Sequence, residues 1–213
     1  VESAQAILSS DPNGPSVTRN EFGDLIGVTT SYFNEENTLI RGADFNINYL
    51  LDIKDNGYLT FSLKGTKLDK FLTPGLTENQ QLRMINRVGK FNFNAHTHSL
   101  PKNRINSFIN WNYKDYVFGL TSRYIDGYVN ERAITGLGIT YGYENKIDSF
   151  LVHDLSLRKI LKVSSGELKL NLALINILDE SAPRLYDAPD FSFDTRVHDP
   201  RGRMLGVNIE YKF

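Results

Sequence analysis

Met204-Leu205-Gly206-Val207-Asn208-Ile209-Glu210-Tyr211-Lys212-Phe213 alternates without a break. Leu205, Val207, Ile209, Tyr211 and Phe213 fall on one face of an extended chain, and Gly206, Asn208, Glu210 and Lys212 fall on the other. A slip of one residue would exchange the two faces completely, so the pattern specifies a register as well as a strand over 203–213.

The same period of two recurs upstream. Segments 24–33, 39–53, 58–71, 104–113, 116–126, 150–161 and 167–177 each read as strands. Leu168, Leu170, Leu172 and Leu174, for example, oppose Glu167, Lys169 and Asn171. No segment offers a long amphipathic helix, although 2–9 and 76–88 fit short helical turns. The intervening turns support antiparallel pairing. Lys114-Asp115 fits a two-residue hairpin that sets Tyr113 against Tyr116. Asp55-Asn56-Gly57 fits a three-residue hairpin that sets Leu51 against Phe61. Val163-Ser164-Ser165-Gly166 fits a four-residue loop that sets Leu157 against Leu172. In each hairpin, apolar meets apolar.

The remaining connections, 72–101, 129–149 and 178–202, are long and polar, and they alternate strictly with the three short turns. Unstructured loops longer than about 15 residues are uncommon in compact soluble domains. Antiparallel order puts the short turns at one end and the long connections at the other, the layout of an outer-membrane barrel. Tyr49, Tyr58, Trp111, Tyr113, Tyr116, Tyr211 and Phe213 gather beside the short turns, as an interfacial aromatic girdle requires. The competing architecture is a soluble antiparallel barrel or sandwich, because alternation alone does not say which face points inward. Loop asymmetry and aromatic placement favour the membrane architecture. His153 and Lys159 fit the lipid face least well. Lys159 lies near a turn and can snorkel, whereas His153 requires a position toward the other rim.

Composition sets the bounds. The 213 residues carry 24 Lys and Arg against 25 Asp and Glu, so there is no basic excess to point to nucleic acid. Cysteine is absent, which excludes disulfides, thiolate metal sites and cysteine nucleophiles. No apolar run reaches the roughly 18 residues of a transmembrane helix, but a membrane barrel hides its apolar residues at every second position. The opening Val1-Glu2-Ser3-Ala4-Gln5 shows no signal peptide, as expected of either a mature secreted chain or an internal fragment.

The final strand, with its approach Arg201-Gly202-Arg203, resembles the end of a TonB-dependent outer-membrane receptor. Leu172-Ala173-Leu174-Ile175-Asn176-Ile177-Leu178-Asp179-Glu180-Ser181-Ala182-Pro183 resembles that family's penultimate strand and its exit. Val152-His153-Asp154-Leu155-Ser156-Leu157 resembles the strand leaving the second-last large loop. Val17-Thr18-Arg19, Gly23, Asn34 and Arg41-Gly42-Ala43-Asp44-Phe45-Asn46-Ile47-Asn48-Tyr49 resemble an upstream strand pair. The resemblance covers about 15–213.

It implies an all-β fold: about eight C-terminal strands of a 22-stranded antiparallel transmembrane barrel in the outer membrane of a Gram-negative bacterium. The plug and the N-terminal barrel strands would lie outside this chain. The implied activity is active import of a nutrient such as an iron–siderophore complex or a glycan. The implied partners are outer-membrane lipid, the remainder of the receptor, the TonB complex through the plug, and the barrel-assembly machinery reading Ile209, Tyr211 and Phe213. The alternative is a closed eight-stranded structural or adhesive barrel, in which strand 24–33 would pair with 203–213.

Catalytic signatures are missing from the sequence: there is no GxSxG, Walker loop, HExxH or EF-hand. Neither an enzyme nor a bound cofactor is expected. His96 and His98, at i and i+2 in a long connection, would share a face if extended and could contribute to a metal or haem contact. The competing reading is two solvated histidines, and no metal site is assigned. Arg184, Tyr186 and Asp187, with Asp190 and Phe191, combine aromatic and charged groups suited to ligand capture in an exterior loop. Asp44, Asn46, Asn48, Asn110, Asn112, Arg123, Asp154 and Arg158 would line the lumen.

Overall fold

The computed structural model describes Ala4 and residues 7–8, 11–30, 38–76, 82–92, 98–131, 140–142, 144–185 and 191–213. The chain divides into two compact units, Val1–Ile40 with Lys70–Asn86, and Arg41–Asp69 with Arg87–Phe213. Its strands in chain order are β1 Val17–Arg19, β2 Leu25–Val28, β3 Leu39–Asp52, β4 Tyr58–Leu76, β5 Leu82–Asn86, β6 Asn103–Tyr113, β7 Tyr116–Ile125, β8 Tyr128–Val129, β9 Lys146–Ile147, β10 Phe150–Val163, β11 Gly166–Ile175 and β12 Met204–Lys212. The fold is all-β and antiparallel. No described helix is long and apolar enough to cross a membrane.

In the first unit, β1 and β2 form a hairpin of their own, with Val17 opposite Val28. The Arg19 guanidinium donates to the carbonyls of Gly23 and Pro12, and Asn20 Oδ1 accepts the Phe22 and Asp24 amides, so the turn is self-capped. This corrects the expectation for 24–33, because β2 pairs only with β1 and does not join the large sheet. Asn34 lies outside the described residues. Ala4, Ile7 and Leu8 are helical, as expected. The segment 76–88 is not helical: β4 continues to Leu76 and β5 pairs with it, Thr73 against Ile85. Pairing with a neighbouring strand satisfies the backbone there, where local propensity was weak either way.

In the second unit, β3, β4, β6, β7, β10, β11 and β12 lie side by side in chain order, each hydrogen-bonded to the next. This meander sets the three short turns at one end and the three long connections at the other, as the sequence predicted. β3 and β12 are its two edges. Tyr113 faces Tyr116, and Leu157 faces Leu172, both as expected. Val163 pairs with Gly166, which tightens that loop to Ser164 and Ser165.

The first hairpin differs by two residues. Ile53 N–H donates to the Gly57 carbonyl at 2.8 Å. Stepping inward from that bond puts Leu51 opposite Leu59 and Tyr49 opposite Phe61, whose rings lie 6.5 Å apart. The turn sits one residue earlier than the sequence suggested, because Lys54–Asn56 closes a 3-10 turn before Gly57. Since the shift is even, the apolar face is preserved.

The central rows of one face are wholly apolar, whereas the rows toward its ends admit His153 with Ser107 and Ser122, and Lys159. One row runs Phe61, Ile109, Leu120, Leu155, Leu174, Leu205, and the next runs Leu59, Trp111, Phe118, Leu157, Leu172, Val207. The opposite face carries Asp44, Asn46, Asn48, Asn110, Asn112, Arg123, Asp154 and Arg158. Its contacts include Asn171 to Asn208 at 3.2 Å and Lys169 to Glu210 at 3.6 Å. Tyr58 falls opposite Asn112 on this polar face, so it leaves the expected girdle. Around the short turns, Trp111 stacks on Phe118 and Tyr113 at 5.3 and 5.6 Å and donates Nε1–H to the Asn56 carbonyl at 2.9 Å. Tyr211 OH meets Ser165 Oγ at 2.6 Å, and Phe213 is exposed beyond β12.

Nothing described covers the apolar face: Val207, Ile209 and Leu205 are 58–74% exposed. The buried apolar cluster of this unit is elsewhere, in the long connections, where Phe91, Tyr128, Ile147 and Leu185 pack together with Val197 against them.

Candidate functional site: a polar cluster in the long connections

The small core draws the three long connections together. β8 and β9 pair Tyr128 with Ile147, and a bridge joins Lys90 to Val129. Asp194-Thr195-Arg196-Val197-His198 makes one tight turn, in which the Asp194 carbonyl accepts the amides of Val197 and His198 and Asp194 Oδ1 accepts the Arg196 amide. Such Asx-type closure is a local property of aspartate. It leaves Asp194 Oδ2 free to point inward.

That oxygen organises a buried network. It accepts from the Ser99 hydroxyl and, at 2.9 Å, from Tyr128 OH. Ser99 Oγ also lies 3.1 Å from the Phe91 carbonyl. Tyr128 has one hydroxyl proton and gives it to Asp194, so its 3.2 Å contact with His198 Nε2 assigns the histidine as donor, protonated on Nε2. Nδ1 is then a lone pair with no partner, as found. The His198 ring is parallel to Tyr128 and edge-on to Phe150, with centroids 5.9 and 5.3 Å apart. Burial pushes His198 down to about 4 against the pull of Asp194, and burial with the Asp194 charge pushes Tyr128 well above its ordinary range. Ser99, Asp194 and His198 thus stand close together, but His198 bonds to Tyr128 rather than to the serine. The arrangement ties connections together and does not align a base on a nucleophile.

A second knot pins the last connection to the polar face. Arg123 and Asp154 form a two-point ion pair, and Asp154 Oδ1 also accepts the Asn176 amide at 2.9 Å. Buried Asn176, in the left-handed region at φ 50°, donates its side chain to the carbonyls of Glu180 and Arg201. The Arg201 guanidinium holds the exposed Asp199 carboxyl down to about 2.

Of the residues singled out from sequence, His98 is exposed, with Nδ1 2.6 Å from Arg196 Nη1. Its carbonyl accepts from Asn92. Arg184 is exposed next to buried Leu185, and Phe191 is exposed with its ring 5.8 Å from Phe193. His96, Tyr186, Asp187 and Asp190 lie outside the described residues. Among the described residues no cluster of three His, Asp or Glu side chains could hold a metal. His153 takes its place toward the long-connection end, 2.7 Å from Ser122 Oγ, in a row with Ser107.

Sequence reasoning missed Tyr128, Ser99, Asp194 and His198 as a group. Their only local signal was the Asp194 turn, since their partners are 66 to 95 residues distant. Comparison with protein-family models, curated proteins and solved structures finds no match.

Proposed function

We propose that this chain is the C-terminal part of the transmembrane barrel of a TonB-dependent receptor, acting in the outer membrane of a Gram-negative bacterium. Its role would be active import of a nutrient such as an iron–siderophore complex or a glycan. The observation that carries this reading is the uncovered apolar face. Burying one Leu, Ile, Val or Phe contributes about 1.5–3 kcal/mol. The two rows named above carry eleven such side chains and Trp111 on this face, and even at partial exposure their sum is comparable with the whole net stability of a typical domain, about 5–15 kcal/mol. Water is a poor solvent for such a surface, and hydrocarbon is a good one.

The height agrees. Leu161 to Leu151, with Lys159 and His153 one step inside the two ends, spans ten residues of β10 on this face, roughly 34 Å along the strand. Tilted as barrel strands are, that becomes about 26 Å, against an apolar band of about 25 Å. The aromatic rows at the short turns support an interfacial girdle. Among the described residues neither β3 nor β12 has an outer partner strand, and β2 is paired away from the sheet, which favours a part of a larger barrel over a closed small one. In this reading the polar face meets water, plug and passing substrate. The connections carrying His98 and Arg184 face the exterior, and the edges continue into the receptor's other strands.

The test is fractionation of cells carrying the native gene. The polypeptide containing this sequence should sediment with outer membranes, migrate anomalously unless boiled, and be far longer than 213 residues. Deleting the gene should abolish energy-dependent uptake of one ferric-siderophore or glycan class. Release of the protein by an alkaline wash would refute the membrane assignment.

A further inference from the structure

At the short-turn end of the apolar face stand two lysines that the proposed transport role does not use. Lys114 occupies the two-residue turn of the β6–β7 hairpin, with φ 52°, and its Nζ sits 5.0 Å from the centre of the Tyr113 ring. Lys159, on β10, is paired with Tyr116, and its Nζ sits 4.7 Å over that ring. Tyr113 and Tyr116 are themselves cross-strand partners, so the two ammonium groups are seated on adjoining rings. Beyond Lys159 the row continues into Leu170 and Ile209.

The charges around them matter. Lys169, on the polar face, lies 3.7 and 3.6 Å from Glu167 and Glu210. Among the described residues neither Lys114 nor Lys159 has a carboxylate within ion-pair distance. The one acid adjoining them in the turn is Asp115, whose carbonyl accepts the Ile160 amide. Two uncompensated cations at the edge of an apolar band, held by aromatic faces, match an anion that arrives with acyl chains attached.

We propose that Lys114 and Lys159, on their Tyr113–Tyr116 platform, form a headgroup site for the phosphate of an anionic phospholipid whose acyl chains run inward along Leu157 and Leu172. This rests on the apolar face being lipid-facing. Tyrosine rings hold the ammonium groups at headgroup depth, and the adjoining inner row receives the chains.

The test uses the membrane-inserted protein in bilayers of phosphatidylcholine containing a minor fraction of phosphatidylglycerol. Lipids retained after detergent extraction are counted by native mass spectrometry. The wild-type protein should retain phosphatidylglycerol over phosphatidylcholine by about tenfold, given two basic groups near the surface. K114Q/K159Q should lose most of that preference while still inserting, and K114R/K159R should keep it. Equal retention of the two lipids by the wild-type protein overturns the proposal, as does unchanged preference in K114Q/K159Q. So does full displacement by inorganic phosphate, which would assign the site to the free anion. Failure of the wild-type protein to insert into either bilayer overturns the lipid-facing reading and this site with it.

Discussion

Gly57 shows how a single residue sets a hairpin. Its φ of +80° lies in the left-handed region, and a Cβ there would run into the Asn112 carbonyl of the neighbouring strand. Gly57→Ala should therefore lower the heat resistance of the sheet by about 1–3 kcal/mol or more, read as a fall in the unfolding temperature in detergent. Gly119, on the polar face, is less constrained, since an added Cβ there would meet the rotatable Ser156 hydroxyl rather than backbone. His198 makes a pH-dependent contribution. In the unfolded chain it takes up a proton near pH 6.5, whereas in the buried cluster it stays neutral down to about 4. Stability of the connections is thus complete above pH 6.5 and declines as pH falls from there toward 4. The Asp194 and Arg104 charges bear on it, and Tyr128 contacts it through the hydrogen bond to Nε2. Protease cutting within 178–202 should accelerate across that window, and His198→Gln, which keeps a donor for Tyr128, should flatten the dependence. An unchanged profile in that variant would assign the pH response to another group.

Among elements, β11 and β12 were the most legible from sequence, because alternation and turn parity agree on one register. Leu172 faces Val207 and Lys169 faces Glu210, as the pattern dictates. The β3–β4 hairpin was legible in face but not in register, since Lys54–Asn56 forms a 3-10 turn that residue type does not announce. Strands β5, β8 and β9 were not legible at all, and β1 entered only through the resemblance carried by Val17-Thr18-Arg19. They are two to five residues long, too short for a period of two to emerge. The loop core is illegible for a different reason: Phe91, Tyr128, Ile147 and Leu185 are isolated apolar residues in polar sequence, with no periodicity to connect them. Row positions refine the mutational expectation for β11. On the lipid-facing reading, Leu172 lies in the central rows, so Leu172→Arg should cost roughly 2–4 kcal/mol, whereas Leu170, level with Lys159, should tolerate Arg at about 0–1 kcal/mol. Lys169→Arg, on the polar face, should be close to neutral. Similar losses at Leu172 and Lys169, measured by heat-modifiable migration, would contradict the assigned faces.

On the scale of the whole molecule, the open question for any sheet is what its edges meet. β3 is fourteen residues long and highly exposed, and β12 offers a second unpaired row of backbone groups. Edges of this length are aggregation hazards in water and are not tolerated facing lipid. On the proposed reading as part of a larger membrane barrel, the amides of β3 and β12 should exchange with deuterium as slowly as those of central β7. Fast exchange at alternate residues along both would show that no further strands flank the sheet.

The cluster around Asp194 also bears on the order of assembly. Each short-turn hairpin closes over two or three residues, so its entropic cost is small and it can form as soon as it is synthesised. The contacts of Ser99 with Asp194 and of Tyr128 with His198 close loops of 95 and 70 residues, and they need the last connection to be present. The meander is therefore expected to zip from turn to turn, with the connections locking only afterwards. Pulse-labelled hydrogen exchange during refolding should protect the Tyr113–Tyr116 and Val163–Gly166 pairs well before the Tyr128 amide.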